Sequence, residues 1–439
     1  MTTRSVVAAA TIACALVAPA AAQTRLTLAD AVTRARAQNV DARIAAAGEQ
    51  EAAARVPQAQ SWYWPRVDFV ESWQRGDLPV FVFGSLLNQR RFTAEDFALD
   101  RLNHPDPLNN FRNAFSVEQL VFDGGAVRAQ VRAARLGHEI ARLSQTQVER
   151  ELAVAATAAF GRVLTVQAVR RAAASAAAAA EEDLKRARAR RDAGLVTDAD
   201  VLAIEVHRAQ VRSREIAAAG DERVARAQLN QVMGAGLDEQ FELDPVAPAS
   251  DVASGLEALE AEAIDNRPEI RLAEAQQRLA DASISMAKAA FLPQVGAQAG
   301  VEWNGESFGS RESAWIVGTQ IRFNLFHGLA DRARLTEARH ALTRRTLERE
   351  KAETNIRLDV RSASAQLEAA RARREVGAAA LAQAREAQRI LRDRYEAGLV
   401  GVSDLLRAAQ SVLDAEAQDT ASQVDVLIQA AALERALGR

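Results

Sequence analysis

The sequence is poor in cysteine, and this scarcity is informative. Its single cysteine, Cys14, lies inside residues 1–22, which are predicted to be a secretory signal peptide. Arg4 supplies the positive end of that segment, and Ala20-Ala21-Ala22 supplies the cleavage site. Removal of the segment would leave a chain without thiols, which excludes disulfide bonds. Lipidation of Cys14 stays open as an alternative, because Thr11-Ile12-Ala13-Cys14 loosely resembles a lipid-attachment box.

Motifs for catalysis and cofactor binding are missing as well. The five histidines are scattered without the spacing of a metal site, and neither a nucleophile elbow nor a phosphate-binding loop is present. The net charge of −3 gives no electrostatic footprint for nucleic acid. We therefore expect no catalytic residue, no metal, no cofactor and no nucleic-acid partner.

Long apolar runs are also absent. Beyond the predicted signal no stretch has roughly 18 consecutive apolar residues, so no membrane-spanning helix is predicted. An exported chain can nevertheless cross a membrane as strands of a closed barrel, in which every backbone polar group is paired.

Proline is absent from two long stretches, which run from Leu108 to Asp244 and from Gln294 to the end. Since proline breaks helix interiors, these stretches can hold very long helices, predicted at 126–191 and 330–395. Each would be on the order of 100 Å long. Apolar residues recur at spacings of four and three in the second helix, which predicts a coiled-coil-like seam: Ile356, Val360, Ala363, Leu367 and Ala370.

What is present is an order of elements that occurs twice. Val121-Phe122-Asp123-Gly124 corresponds to Leu325-Phe326-His327-Gly328, and the same offset aligns the segments that follow. Each half has the pattern of a helix, a strand, a loop, a strand, a very long helix, a tight turn and a helix. We therefore predict a first repeat over 23–244 and a second over 245–439.

Four strands of about ten residues are predicted where polar and apolar residues alternate, at about 66–75, 113–122, 294–303 and 314–323. A strand of that length crosses a bilayer when it is tilted. All five tryptophans lie in or beside these strands, as expected for rings at a membrane interface: Trp62, Trp64, Trp73, Trp303 and Trp315. The alternative is an ordinary soluble sheet.

The two predicted hairpin loops differ in length. Asn304-Gly305 is predicted to begin a short polar loop, whereas the first loop runs roughly from Gly76 to Asn110 and would lie outside the cell, either idle or as a gate. Four strands cannot close a barrel, and open edges are not tolerated in lipid. The chain should therefore oligomerise, giving eight strands in a dimer or twelve in a trimer.

Tight turns are predicted at the far ends of the long helices. Gly194 and Gly398 each follow a helix C-terminus, where glycine is favoured. Thr197, with Asp200 three residues later, is predicted to cap the first returning helix, and Ser403 is the nearest candidate for the second.

Each turn also carries an apolar pair, Leu195-Val196 in the first and Leu399-Val400 in the second. A plain reversal of the helix would explain the glycines but not these apolar residues at an exposed turn. Exposed apolar patches favour a binding partner. We therefore expect the turns to dock another protein.

The element order, the Phe122-Asp123-Gly124-Gly125 start of the first long helix and the Ala-Gly-Leu turns resemble the TolC family of outer-membrane efflux channels. The resemblance covers 26–438. It implies a mainly α-helical homotrimer with a 12-stranded transmembrane β-barrel in the outer-membrane lipid, continued by a long periplasmic α-helical tube. It further implies an exit duct that passively conducts substrates from an inner-membrane pump and a periplasmic adaptor (membrane fusion) protein to the outside.

The resemblance also implies site residues. The family's periplasmic gate uses a tyrosine matched by Tyr395 and an aspartate ring matched by Asp404. The chain departs from the family at two gate positions, where Val400 replaces an arginine and Arg407 replaces an aspartate. Asp404 could equally interact with the dipole of its own helix. A Val-Gly-Leu motif meets the adaptor in that family, and the matching residues here are Ala193, Gly194, Leu195, Ala397, Gly398 and Leu399.

Two functions are therefore weighed. One is the outer-membrane exit duct, and the alternative is a soluble periplasmic coiled-coil adaptor or scaffold whose strands form a small soluble domain. An apolar band with tryptophan at its edge favours the duct. Nothing in the sequence identifies the exported substrate, the pump, the adaptor or the resting state of the duct.

Overall fold

The computed structural model describes residues 25–244 and 255–439. The predicted signal peptide of residues 1–22, with Cys14, lies outside the described residues. The described chain falls into two compact units, each built from three chain segments. The helical unit lies within Met1–Val40, Glu151–Ala253 and Ala365–Ala432, and the sheet unit lies within Asp41–Arg150, Ser254–Ser364 and Leu433–Arg439.

Helices make up most of both halves of the chain. The elements of the first half are β1 (Arg25–Leu26), α1 (Leu28–Gln38), α2 (Val40–Gln60), β2 (Arg66–Gly76), α3 (Pro79–Asn88), α4 (Leu99–Asn103), β3 (Leu108–Phe122), α5 (Ala126–Asp192), α6 (Asp198–Met233) and β4 (Glu242–Leu243). The elements of the second half are α7 (Leu256–Asn266), α8 (Pro268–Ala289), β5 (Gln294–Ser307), β6 (Ser310–Arg322), α9 (Ala330–Glu396) and α10 (Val402–Leu437).

The longest helices are equal in length in the two halves. Helices α5 and α9 each contain 67 residues, and the helices that return from them, α6 and α10, each contain 36. Because neither stretch contains proline, every interior amide can donate to a carbonyl one turn earlier. The predicted seam of α9 is buried, with between 0% and 8% of each residue exposed: Ile356, Val360, Ala363, Leu367 and Ala370.

By length and composition alone, α5 is the one described helix that is long and apolar enough to cross a membrane, and 39% of its most apolar window is buried. The prediction of no spanning helix rested on uninterrupted apolar runs, which α5 lacks. The core helix of a protein can meet the same criteria, so we do not infer from them that α5 crosses a membrane.

The sheet unit contains a four-stranded antiparallel sheet in the order β2–β3–β5–β6. Strand β3 begins five residues before the predicted 113–122 range, and β5 extends past the predicted 294–303 range to Ser307. In the part of the chain that the structure describes, β2 pairs only with β3 and β6 only with β5. The two outer strands therefore each present one unpaired edge.

The second hairpin turns later than predicted. Asn304 still pairs with Glu312 on β6, and the chain reverses between Ser307 and Ser310. The prediction that Asn304-Gly305 begins the loop is therefore wrong. Asn304 is held in the strand by a buried side-chain hydrogen bond from Asn110. Gly305 lies so close to the returning chain that a Cβ there would meet the Ser310 carbonyl oxygen at 1.9 Å.

The Phe122-Asp123-Gly124-Gly125 motif forms the junction between β3 and α5. The Asp123 carboxylate accepts hydrogen bonds from the amides of Gly125, at 2.9 Å, and Val127, which caps the start of the helix. Gly124 has a φ of +69°, and a Cβ there would come within 2.7 Å of the Leu292 Cβ. Glycine is thus required both by the backbone conformation and by the close approach of the segment after α8.

The core of the helical unit surrounds the middle of α5 and the end of α6. Its fully buried members include Leu26, Phe160, Val163, Leu229 and Met233. At its edge, β1 pairs in parallel with β4. This short pairing fixes the chain segments that enter and leave the helices of the unit.

A buried carboxylate lies on α6 in the same unit. Glu222 is 7% exposed and accepts hydrogen bonds from Arg170 at 2.7 Å and from Arg226 at 3.0 Å. Burial acts to raise the pKa of Glu222, but hydrogen bonds from Arg170, Arg226 and Gln167 outweigh it and hold the pKa below its usual value. The group is therefore a paired structural anion that ties α5 to α6.

Candidate membrane face and helix tips

The strand register assigns each residue of the sheet to one of two faces. Cross-strand partners point to the same side, so Phe115, Val301 and Trp315 share one face through the pairs Phe115–Val301 and Val301–Trp315. We call this side the apolar face. It carries most of the large exposed apolar side chains of the strands: Val67, Phe69, Trp73, Phe115, Val117, Trp315, Val317 and Ile321.

The opposite side, which we call the polar face, carries amide and charged side chains. Its members by register include Arg66, Asp68, Gln74, Asn110, Arg112, Glu118, Gln298, Glu302, Asn304, Glu312 and Gln320. Two apolar exceptions are exposed on it, Val70 and Ile316. A soluble sheet would pack its apolar face against a core, whereas here the apolar face is exposed. This arrangement is what a strand between lipid and water requires.

The tryptophans lie toward both ends of the strands. Trp62 and Trp64 lie at the turn Ser61–Tyr63 that precedes β2, and both are exposed. Trp73, near the other end of β2, has its ring centroid 6.3 Å from that of Phe111, and Trp303 lies edge-on to Phe115. Trp315 lies on the apolar face of β6. Aromatic rings at two levels along the strands are typical of the two interfaces of a bilayer, and this role stays a prediction.

Both long helices of the tips end in the same hydrogen-bonded turn. The amides of Gly194 and Leu195 donate to carbonyls three and five residues earlier, both at 2.8 Å. The amides of Gly398 and Leu399 do the same at 3.0 and 2.9 Å. Both glycines have a positive φ, +72° and +74°. These are the features of a Schellman motif, in which a left-handed glycine terminates a helix.

The turns expose apolar side chains, as the sequence predicts. Leu195 is 68% exposed and Leu399 is 74% exposed. Val196 and Val400 are only half-buried, and the neighbouring Ala193 and Ala397 are exposed. Each turn therefore exposes one leucine side chain as a small apolar knob. The role of these leucines in docking stays a prediction.

The returning helices begin differently from each other. The Thr197 hydroxyl accepts from the Asp200 amide at 3.2 Å, and the Asp200 carboxylate accepts from the Thr197 amide at 3.0 Å, so the predicted capping box is confirmed. The prediction of Ser403 as a cap is wrong, because α10 already begins at Val402. Gly401 precedes the helix and offers its carbonyl to the Asp404 amide at 3.1 Å.

Tyr395 is packed inside the tip. Its ring lies against a core cluster formed by Leu184, Ala187, Val201, Ile204 and Val402. The Arg190 guanidinium lies over the ring, 5.3 Å from its centroid. The Tyr395 hydroxyl has no hydrogen-bond partner among the described residues. Burial raises the pKa of this hydroxyl, and the charge of Arg190 partly opposes the rise.

A cavity of about 340 Å³ lies beside the Tyr395 ring. Three arginines line it, together with two carboxylates and several aliphatic side chains: Asp183, Arg186, Ala187, Ala189, Arg190, Ile204, Arg392, Glu396 and Leu405. Arg190 was not singled out from the sequence, because arginine in the last turn of a helix ordinarily interacts with the helix dipole and carries no specific signal.

Asp404 lies in the first turn of α10 and is half-buried. Its carboxylate is 3.6 Å from the Arg407 guanidinium, one turn along the same helix. Arg407 stands where the resemblance implies a second aspartate, so here Asp404 has a cation as its neighbour instead. Both interpretations of Asp404, gate ring and helix-dipole partner, stay predictions.

Across residues 25–244 and 255–439, no group of three or more histidine, cysteine, aspartate or glutamate side chains could hold a metal ion.

The sequence pattern of the outer membrane efflux protein family matches residues 31–235 and 259–439. This protein belongs to the outer membrane efflux protein family. Protein CyaE of Bordetella pertussis is 27% identical over 339 residues, which cover 76% of this chain and 72% of CyaE. Outer membrane efflux protein BepC of Brucella suis is 24% identical over 341 residues, which cover 76% of this chain and 74% of BepC.

Solved structures show the same fold. The outer membrane channel CmeC of Campylobacter jejuni superposes with a TM-score of 0.79 at 16% identity, covering 94% of this chain and 85% of CmeC. The outer membrane protein VceC of Vibrio cholerae superposes with a TM-score of 0.75 at 19% identity, covering 94% of this chain and 96% of VceC.

Membership in this family places the protein in the outer membrane, extending into the periplasm, and makes it an exit duct for efflux or export. The alternative of a soluble periplasmic adaptor or scaffold is not favoured. The matched structural relatives are channel proteins rather than enzymes.

Proposed function

We propose that three copies of this chain close a 12-stranded barrel through which substrates pass without chemistry. The unpaired edges of β2 and β6 support this proposal, because an edge in lipid must pair with another strand. The exposed apolar face supports lipid contact on the outside, and the polar face then lines the lumen. A dimer with eight strands would leave an interior filled by side chains, which does not suit a duct.

The duct has a duplicated architecture, with a signal peptide over 1–22 and repeats over 23–244 and 245–439. Support comes from the equal lengths of α5 and α9 and of α6 and α10. The duplication lets three chains supply six similar helix pairs, and six-fold similarity suits the walls of a tube.

The tips dock a periplasmic adaptor, which in turn connects the duct to an inner-membrane pump. The exposed side chains of Leu195 and Leu399 support this step, because apolar knobs on rigid turns provide hydrophobic anchors. Leu195→Asp with Leu399→Asp should abolish export while the trimer still assembles. Unchanged export in that double variant would remove the docking proposal.

Tyr395 and Asp404 form the periplasmic gate. The packing of Tyr395 in the tip core supports a gate that moves with the helices rather than with a loop. The Arg407 cation beside Asp404 weakens the negative field that an aspartate ring would create, so cation selectivity should be modest. Arg407→Gln should then increase cation selectivity in reconstituted channels, and an unchanged ratio would place Asp404 outside the constriction.

The cell fraction and the native mass in detergent test the proposal as a whole. The barrel predicts protein in the outer-membrane fraction at about three chain masses, in line with the strand number that closes a pore. Soluble periplasmic protein at one chain mass would overturn it. Two chain masses would favour the eight-stranded dimer instead.

A further inference from the structure

Residues 77–107, which connect β2 to β3, form a folded segment that we call the mouth segment. It contains α3, α4 and the turn Ala94–Phe97. Phe92 lies edge-on to both Phe83 and Phe97, with ring centroids 5.0 Å apart in each pair. The sequence prediction offered a choice between an idle loop and a gate. These ring contacts show that the segment packs against itself.

A chain of buried amides ties the mouth segment to the sheet. Gln89, at the end of α3, donates to the Asn110 side chain at 3.0 Å, Asn110 donates to Asn304 at 3.0 Å, and Asn304 donates to Glu302 at 3.0 Å. The three amides are between 1% and 7% exposed. Loss of one member would leave the next with a buried polar atom unpaired, so the relay fixes one position of the segment.

A second anchor lies on a strained residue. Arg90 has a φ of +54°, at the helix C-terminal position where glycine is normal. Its guanidinium donates to the Ser313 carbonyl at 3.0 Å and lies 3.5 Å from the Glu312 carboxylate, both on β6. Glycine would fit this backbone without strain, so the side-chain contacts are the structural reason for arginine. Its neighbour Arg91 forms an ion pair with Glu306 on β5.

Both anchors reach the polar face. Asn304 pairs with Arg112 and Glu312 across the sheet, so the side chains that Gln89 and Arg90 contact, Asn110 and Glu312, lie on the same side of the strands. They also lie at the end of the sheet where both hairpins turn. In the proposed barrel this side lines the lumen, because the apolar face meets lipid.

We propose that the mouth segment folds inward over the outer opening of the barrel and limits the size of what passes there. Gln89 and Arg90 are its positioning residues. This inference rests on the proposed barrel, and it adds a second constriction besides the proposed periplasmic gate.

Thiol labelling from outside intact cells tests the size limit independently of the periplasmic gate. Gln298→Cys puts a thiol on the polar face, deeper along β5 than the mouth segment. It is the only thiol of the chain once the segment with Cys14 is removed. A small maleimide and a maleimide with a bulky polyethylene glycol chain are compared in the native background and with Gln89→Ala or Arg90→Gly added. Arg90→Gly also relieves the positive φ, so it should fold.

We expect the small reagent to label Gln298→Cys in every background, and the bulky reagent to label it only when an anchor is removed. Asp100→Cys is the matched control, because the Asp100 side chain is 97% exposed on the mouth segment and both reagents should reach it throughout. Bulky labelling of Gln298→Cys in the native background would overturn the size limit and leave the barrel standing.

Two other outcomes are decisive as well. If the bulky reagent stays excluded after both anchor substitutions, the positioning role of Gln89 and Arg90 is wrong. If neither reagent reaches Gln298→Cys in any background while Asp100→Cys reacts, the polar face does not line an open lumen, and the proposed barrel itself falls.

Discussion

The guanidinium of Arg190, at the end of α5, lies 5.3 Å from the centroid of the Tyr395 ring, at the end of α9. The two residues belong to different halves of the chain, and their contact joins the two tips through a cation and an aromatic face. Among the described residues the buried Tyr395 hydroxyl has no hydrogen-bond partner, so its ionisation reports on the packing of the tip.

This contact predicts that removing the charge of Arg190 will shift the titration of Tyr395. Arg190→Met keeps the length of the side chain but removes the charge, so the pKa of Tyr395, already raised by burial, should rise further. The chain has only two tyrosines, and Tyr63→Phe would leave Tyr395 as the sole phenolate absorber. Arg188→Met, two residues earlier and paired with Glu205, is the control and should leave the titration unchanged.

The raised pKa of Tyr395 also predicts how the stability of the protein changes at high pH. Folded Tyr395 keeps its proton above the pKa of about 10 at which the unfolded chain loses it. Stability should therefore fall as the pH rises from about 10 through the folded value. A Tyr395→Phe variant should lack this loss, and an identical pH profile in both proteins would show that the ring is solvated.

Glycine substitutions should have opposite signs at two positions of the helical unit. Gly398→Ala places a side chain at a φ of +74° with no steric neighbour, so backbone strain alone should cost about 1 kcal/mol. Gly220→Ala, in the interior of α6 and also without a neighbour within 4 Å, should stabilise by about 1 kcal/mol. Urea unfolding followed by circular dichroism in detergent measures both. Equal effects would mean that the tip turn relaxes.

Charge on one face of β5 should block membrane assembly, and charge on the other should not. Ala299→Arg faces the proposed lipid side and should cost about 2–4 kcal/mol near the bilayer midplane. Gln298→Arg is the adjacent residue on the polar face and should assemble normally. The fraction of trimer in the outer membrane is the readout, and the same fraction for both variants would contradict the face assignment.

Glu222 should contribute stability that depends on pH. Burial acts to raise its pKa, but the hydrogen bonds from Arg170 and Arg226 give a net lowering. The contribution is therefore complete above the unfolded pKa of about 4.3 and is lost as the pH falls through the folded value. At neutral pH, Glu222→Gln should cost about 2 kcal/mol, because it leaves two arginines without their anion.

The control for this prediction is an exposed ion pair on the same helices. Glu181 lies 3.0 Å from Arg208, and both side chains are nearly half exposed. Glu181→Gln should change stability by less than about 1 kcal/mol at any pH. A large effect there, or a pH-independent effect at Glu222, would assign the stability to general charge balance instead.

The helical part of the fold could be predicted well because its determinants are local. The absence of proline predicted the long helices, and the recurring apolar residues predicted the buried seam around Val360. Gly194 and Gly398 predicted where α5 and α9 end. Strand alternation likewise predicted which residues share a face with Trp315. Each of these predictions uses only residues close in the sequence, within about two helical turns or two strand residues of the position predicted.

The remaining features depend on residues far apart in the sequence. No local pattern shows that Gln89, Asn110 and Asn304 will meet, because amides are common in loops and strands alike. Asn304-Gly305 was wrongly predicted to begin the hairpin loop for the same reason. A hydrogen-bond partner nearly two hundred residues earlier holds Asn304 in the strand. The stacking of Arg190 on Tyr395 also joins the two halves, so it follows only from the assembled tip.

The alternation of the two sheet faces has a consequence for how this protein can change over evolution. An insertion or deletion of one residue in a regularly paired part of the strands would exchange the faces beyond that point, unless a bulge absorbs it as at Val121 of β3. Such an exchange would bring glutamine and arginine to the proposed lipid side and valine and tryptophan to water. Changes of length are therefore tolerated in pairs or with a bulge within a strand, or in the connections. The strands of the proposed barrel therefore tolerate changes of length less readily than the connections between them do.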